Sequence, residues 1–106
     1  KGILNGMRTI YYPSGQAAIS ENFKNGMSEG SQIKYYPNGK TRETCSFIND
    51  LKNGLLTIYF DNGQIEREVN YYYDMPHGDC KKYDKTGKLI RKMTFYYNNL
   101  TDDVTY

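Results

Sequence analysis

The side chains best equipped for chemistry are few: one histidine, His77, two cysteines, Cys45 and Cys80, and the carboxylates Glu21, Glu43, Glu66 and Glu68. His77 stands beside Gly78 between two strand-like runs, and no Ser or Cys near it has a nucleophile context. It therefore reads as a solvated turn residue rather than a triad member or metal ligand. Paired acids for glycoside hydrolysis need a cleft that fixes their separation. Carboxylates scattered over short strands read instead as solvated charges paired with Lys and Arg. The sequence offers no cofactor or metal motif and no Gly-rich phosphate loop, so the expected activity is not enzymatic. One charge asymmetry stands out. Lys81, Lys82, Lys85, Lys88, Arg91 and Lys92 face only Asp84 in their segment, in a chain of net charge +2. These six form a candidate patch for an anionic partner such as a lipid head group or an acidic protein. The small net charge and the lack of a reading motif disfavour nucleic acid.

The elements that must carry these residues come from a repeat. Shifting the sequence by 24 residues aligns four segments, NGMRTIYYPSGQAAISENF, EGSQIKYYPNGKTRETCSF, NGLLTIYFDNGQIEREVNY and HGDCKKYDKTGKLIRKMTF. Leading glycines fall at Gly6, Gly30, Gly54 and Gly78, and turn glycines at Gly15, Gly39, Gly63 and Gly87. Tyrosines fall at Tyr11, Tyr35, Tyr59 and Tyr83, and aromatics at Phe23, Phe47, Tyr71 and Phe95. A fixed period of this kind decides architecture. The units run over about 5–28, 29–52, 53–76 and 77–100, with a partial fifth over 101–106, in a single repeat domain over 1–106.

Each unit predicts a β-hairpin. Its first run is rich in Thr, Ile and Tyr, which suits a strand. Pro-Ser-Gly, Pro-Asn-Gly, Asp-Asn-Gly or Lys-Thr-Gly follows, a type I turn closed by a left-handed Gly bulge. A return strand and a looser Asn/Gly-containing link complete the unit. The sum is an all-β, elongated single-sheet antiparallel meander of about nine short strands. Leu, Ile, Val and Phe together number 20 of 106 residues, which suits a thin sheet with an aromatic face better than a thick core. The turn sets a register pairing Tyr11 with Ala17 and Met7 with Glu21. One face would then hold Leu55, Thr57, Tyr59, Ile65, Val69 and Tyr71, and in the second unit Ile33, Tyr35, Cys45 and Phe47. The other face would hold Arg42, Thr44, Ser46, Glu66, Glu68, Asn70, Lys82, Asp84 and Lys92. Cys45 and Cys80 lie on strands separated by two others in this order, roughly 14 Å apart at about 4.8 Å per strand, so two free thiols are expected.

Tyr35-Tyr36-Pro37-Asn38-Gly39-Lys40, followed by Glu43 and Phe47, resembles the bacterial variant of the MORN (membrane occupation and recognition nexus) repeat, and the similarity runs from about Gly2 to Leu100. The fourth copy departs from the pattern, with Asp84-Lys85-Thr86 in place of the aromatic and Pro-Asn. Bacterial proteins of this kind carry a YwqK-type antitoxin label. The resemblance implies a non-catalytic interaction module; a kinase role, attached to other repeats of the family, lacks the loops it needs.

Function is therefore expected on surface. A single sheet leaves aromatic area exposed, and such patches mark interaction sites. The candidate partner-binding residues are Tyr12, Tyr36 and Phe60 at the hairpin tips, with Tyr11, Tyr35, Tyr59 and Tyr83 beside them, the latter four packing on Ala17, Thr41, Ile65 and Leu89. The expected function is a protein-protein interaction scaffold, antitoxin-like in its narrower form. The alternatives are a cell-surface carbohydrate binder, for which the chain lacks Trp, and a peripheral binder of anionic lipid through the basic fourth copy. Edge-to-edge self-association through an open sheet edge at Tyr106 is a further expectation. No run of apolar residues is long enough to span a bilayer. Lys1 is not an initiator Met, which leaves either a cytoplasmic location or export with a removed signal open for a soluble bacterial protein.

Overall fold

The computed structural model describes residues 3–106; Lys1 and Gly2, where the resemblance begins, lie outside them. Eleven strands form one antiparallel sheet: β1 (Gly6–Tyr11), β2 (Ala17–Lys24), β3 (Met27–Ser28), β4 (Gly30–Tyr35), β5 (Thr41–Ile48), β6 (Leu51–Lys52), β7 (Gly54–Tyr59), β8 (Ile65–Tyr72), β9 (Met75–Tyr83), β10 (Leu89–Tyr96) and β11 (Asn99–Thr105). Nine lie in sequence order across the sheet, while the two-residue strands β3 and β6 pair with β2 and β5. The meander expected from the sequence is therefore observed. The sheet measures 50 × 32 × 14 Å, one layer thick. Among the described residues only Cys45, Leu56, Cys80 and Thr57 are buried, all in the middle of the sheet. No helix among the described residues is long and apolar enough to cross a membrane.

The hairpin tips follow the expected chemistry. Gly15 N donates to Tyr12 O at 2.9 Å, with Pro13 and Ser14 as the turn centre and Gly15 at φ 92°. Proline presets the first turn angle, and only glycine takes the closing left-handed position without strain. Tyr11, Tyr35, Tyr59 and Tyr83 lie opposite Ala17, Thr41, Ile65 and Leu89, as the turn requires.

Beyond that pair the register differs from the expected one. Ile10 pairs with Ile19 and Met7 with Asn22, not Glu21, because Ala18 is an extra residue in the return strand. Arg42, Glu66 and Ile90 play the same part in the later units. A one-residue insertion moves every later side chain of that strand to the other face. Leu56 and Ile58 consequently share a face with Val69 and Arg67, whereas Leu55 and Thr57 sit with Asn70 and Glu68. Cys45 shares the face of Gln32, away from Ile33. Lys82 leaves the wet face and stands between Arg67 and Arg91. The inserted residue thus brings Leu56 and Ile58 together with Val69, Cys45, Cys80 and Phe47 on one strip, which also carries Arg67, Lys82 and Arg91.

The links are not loose. Asn25-Gly26, Asn49-Asp50, Tyr73-Asp74 and Tyr97-Asn98 all have positive φ at both residues, the signature of a tight type I′ turn. Each turn is tied to the preceding unit by a backbone bond: Gly26 N to Leu4 O, Asp50 N to Ser28 O, Asp74 N to Lys52 O and Asn98 N to Pro76 O, at 2.7–3.0 Å. At the opposite end, the Tyr12 hydroxyl donates to Tyr35 O at 2.6 Å, and the Tyr36 hydroxyl donates likewise to Tyr59 O. Neighbouring units are thus stapled along both rows of turns. Replacing Tyr36 with Phe removes one staple and leaves a carbonyl short of its donor. Urea denaturation should show a loss of about 1 kcal/mol relative to the native chain; an unchanged midpoint would contradict the staple.

Candidate functional site

The link row carries the most exposed aromatic surface. Tyr72, Tyr73, Tyr96 and Tyr97 are between 42% and 62% exposed and occupy the last two type I′ turns of the row. The corresponding residues of the first two turns are Lys24-Asn25 and Ile48-Asn49. Asparagine tolerates the left-handed region; a tyrosine at φ 43° does so against a steric cost of about 1–2 kcal/mol. Two bulky rings are therefore held where the backbone resists them, the kind of strain found at functional positions.

The rings form one cluster with His77. Tyr72 meets Tyr73 at 4.8 Å and Tyr97 at 5.7 Å, both edge-to-face, and Tyr96 meets Tyr97 at 4.8 Å in the same manner. His77 stacks on Tyr97 at 4.3 Å and 29°. Its Nδ1 accepts the Tyr97 N–H at 2.9 Å. The bond is the fourth of a series, because Asn5 Oδ1, Glu29 Oε1 and Asn53 Oδ1 accept from the N–H of Asn25, Asn49 and Tyr73. His77 is thus half-buried at the start of a strand and caps a strained turn, rather than standing as a solvated turn residue.

The sequence-derived candidates lie elsewhere. Tyr12, Tyr36 and Phe60 are half-buried at the hairpin tips; the first two spend their hydroxyls on the staples, and Phe60 lies under Lys85 Nζ at 5.8 Å. Tyr11 is 62% exposed on the outer strand, while Tyr35, Tyr59 and Tyr83 are half-buried. The six basic residues are not brought together. Lys82 and Arg91 share one face, Lys81 and Lys92 the other, and Lys85 and Lys88 flank a turn. Asp79 lies 3.8 Å from Lys92 and Asp103 lies 2.7 Å from Arg91. Among the carboxylates, Glu21 pairs with Arg8 at 2.9 Å and Glu43 with Lys34 at 3.7 Å. Cys45 and Cys80 are free thiols, and burial pushes both pKa values up, outweighing the nearby charges of Lys52 and Arg67, which favour the reactive thiolate.

The MORN repeat variant family matches residues 4–25, 28–49, 52–71 and 76–99, so that every unit is covered. The chain belongs to that family. MORN repeats are generally non-catalytic, and the chain is built as a module of such repeats. No curated protein matches it closely. Within this MORN variant, the aromatic turns of the third and fourth repeats were the feature that sequence reading missed. Their signal was present: tyrosine replaces asparagine at a fixed repeat position, twice.

Tyr83 gives a pH test of the geometry. Its hydroxyl donates to Glu68 Oε1 at 2.7 Å, and that bond, then desolvation and the Glu68 charge, raises its pKa from 10.0 to about 12. A group whose pKa is raised on folding stabilises fully below its unfolded value and loses that stabilisation as pH climbs through the folded one. The stability advantage of the native chain over Tyr83→Phe should therefore hold up to about pH 10 and shrink by pH 12. Urea titrations at several pH values measure it; a difference that is flat across this window contradicts the Tyr83–Glu68 bond.

Proposed function

We propose that this MORN variant is a non-catalytic module that binds another protein through the Tyr72, Tyr73, Tyr96 and Tyr97 edge, with His77 bracing it. The observation that carries the reading is the pair of tyrosines kept at φ 43° on an exposed edge, where other repeats use asparagine. Tyrosine is enriched at interface centres because it buries a large amphipathic surface with little side-chain freedom to lose. Ring geometry favours protein over sugar. Three of the tyrosine pairs meet at 78–85°, so the cluster presents edges and ridges rather than a flat stacking platform. The carboxylate of Asp74 in the same turn disfavours an anionic membrane surface. A sheet one layer thick, 14 Å in its thinnest dimension, suits binding on a surface better than chemistry in an enclosed cleft. Stoichiometric masking of a toxin is the narrower, antitoxin-like form of this reading.

Tyr73→Asn and Tyr97→Asn suit the test because asparagine already occupies this place in the first two turns, so the fold is retained. A partner captured by the native chain and reconstituted from purified components should bind the double variant at least about thirtyfold more weakly. Equal affinity for both chains would contradict the proposal. Retention on insoluble polysaccharide, abolished by the same substitutions, would transfer the edge to a carbohydrate ligand.

A further inference from the structure

The four link turns share one kind of cap, and a single proton can switch off one of the four. The N–H of the first central residue is accepted by Asn5 Oδ1, Glu29 Oε1 and Asn53 Oδ1 in the first three turns, and by His77 Nδ1 at 2.9 Å in the fourth. These acceptors occupy one repeat position, 24 residues apart. An amide or carboxylate oxygen keeps its acceptor lone pairs through the neutral and mildly acid range. An imidazole does not. It accepts at Nδ1 only while its proton sits on Nε2, and the imidazolium donates at both nitrogens. Histidine is also the side chain that ordinarily changes charge between about pH 5 and 8.

The surroundings of His77 are aromatic rather than charged. The ring packs on Tyr72 of β8, Tyr96 of β10 and Tyr97 of the turn, with ring centres 4.3–6.1 Å away. Among the described residues it makes no salt bridge. The charged groups of the adjoining elements are Lys52 on β6, Asp74 in the preceding turn, Asp79 on β9, Lys92 on β10 and Asp102 on β11. Lys52 Nζ lies over the Tyr71 ring, and Asp74 Oδ1 accepts the Lys52 N–H. Asp79 accepts the Thr94 hydroxyl and lies 3.8 Å from Lys92, while Asp102 stands opposite Thr94. A protonated ring can still stack on Tyr97. The stack does not replace the acceptor, because two N–H groups then face each other at the cap. Tyr97 is left at φ 43° without the bond that holds it there, and its ring also contacts Tyr72 and Tyr96. The Asn98 N–H to Pro76 carbonyl bond at 2.7 Å does not involve the imidazole, so the opening stays local and the unit stays docked.

We propose that His77 is a proton-operated latch on the Tyr97-Asn98 turn. Neutral, it holds Tyr97 in the left-handed conformation; protonated, it lets the turn open and the aromatic cluster lose its order. The consequence for binding, release of a partner in mild acid, rests on the protein-binding edge proposed for these tyrosines; the latch itself does not.

Amide exchange on the full chain, corrected for the intrinsic pH dependence of exchange, tests the latch without any partner. Between about pH 8 and about pH 5 the protection of the Tyr97 amide should fall about fivefold. The amides of Asn25, Asn49 and Tyr73 are internal controls and should hold steady. His77→Asn installs the cap that Asn5 and Asn53 already provide, so in that variant the Tyr97 amide should stay protected throughout. Protection that ignores pH in the native chain, falls equally at all four turns, or falls as far in His77→Asn would overturn the latch. Partner affinity followed over the same range separates the two claims. A native complex that weakens about fivefold in acid, beside a His77→Asn complex that does not, supports release through the latch. A flat affinity beside a responding Tyr97 amide overturns the release and leaves the edge standing. Equal binding by the Tyr73→Asn, Tyr97→Asn chain removes the edge, and the exchange data still decide the latch.

Discussion

A single-layer sheet has no second layer to bury its faces, and that absence shapes everything else in this protein. With so few buried side chains, the strands cannot rely on a core of interlocked apolar groups. What holds neighbouring units is a set of bonds at the two rows of turns. On one row, each type I′ turn returns a backbone N–H to a carbonyl of the preceding unit, and a side chain 20 residues earlier caps its first N–H. On the other, the tyrosine hydroxyls of the first two units reach the backbone of the next. A repeat of 24 residues is the length that brings both rows into contact at once. Each repeat therefore leans on its neighbour, as one-dimensional repeat folds do.

Much of this was legible in the sequence. The Pro-x-Gly turns, the period and the Tyr11–Ala17 pair follow from residues whose backbone preferences are strong. The facing of the strands was not legible, because Ala18, Arg42, Glu66 and Ile90 look like ordinary strand residues. Nothing in their side chains announces a bulge, yet each reverses the strand that follows it. The link turns were read as loose for a related reason. Asn25-Gly26 has the composition of a tight turn, but Tyr73-Asp74 and Tyr97-Asn98 do not. There the neighbouring unit overrides local preference: the cap from Asn53 or His77 and the packed rings hold a conformation that tyrosine alone would avoid.

The two ends of the chain have consequently diverged within one architecture. In the first two repeats, charges on the apolar strip are paired, Arg8 with Glu21 and Lys34 with Glu43, and the link turns hold asparagine. In the last two, the strip carries Arg67 and Lys82 opposite each other, with Arg91 paired to Asp103, and the turns carry tyrosines. The earlier units read as structure and the later ones as surface. The basic run that the sequence displays from Lys81 to Lys92 divides between the two faces, since alternate strand residues point opposite ways. What joins Lys82 to Arg67 is register across strands, not proximity in sequence.

The central claim is that capped link turns, rather than a core, hold the units together. Native-state hydrogen exchange at the amides of Asn25, Asn49, Tyr73 and Tyr97 tests it most directly. The account predicts that these exposed turn amides exchange nearly as slowly as the adjoining strand amides, opening only when units separate. Exchange at the rate of unprotected loop amides, with the strands still protected, would contradict it.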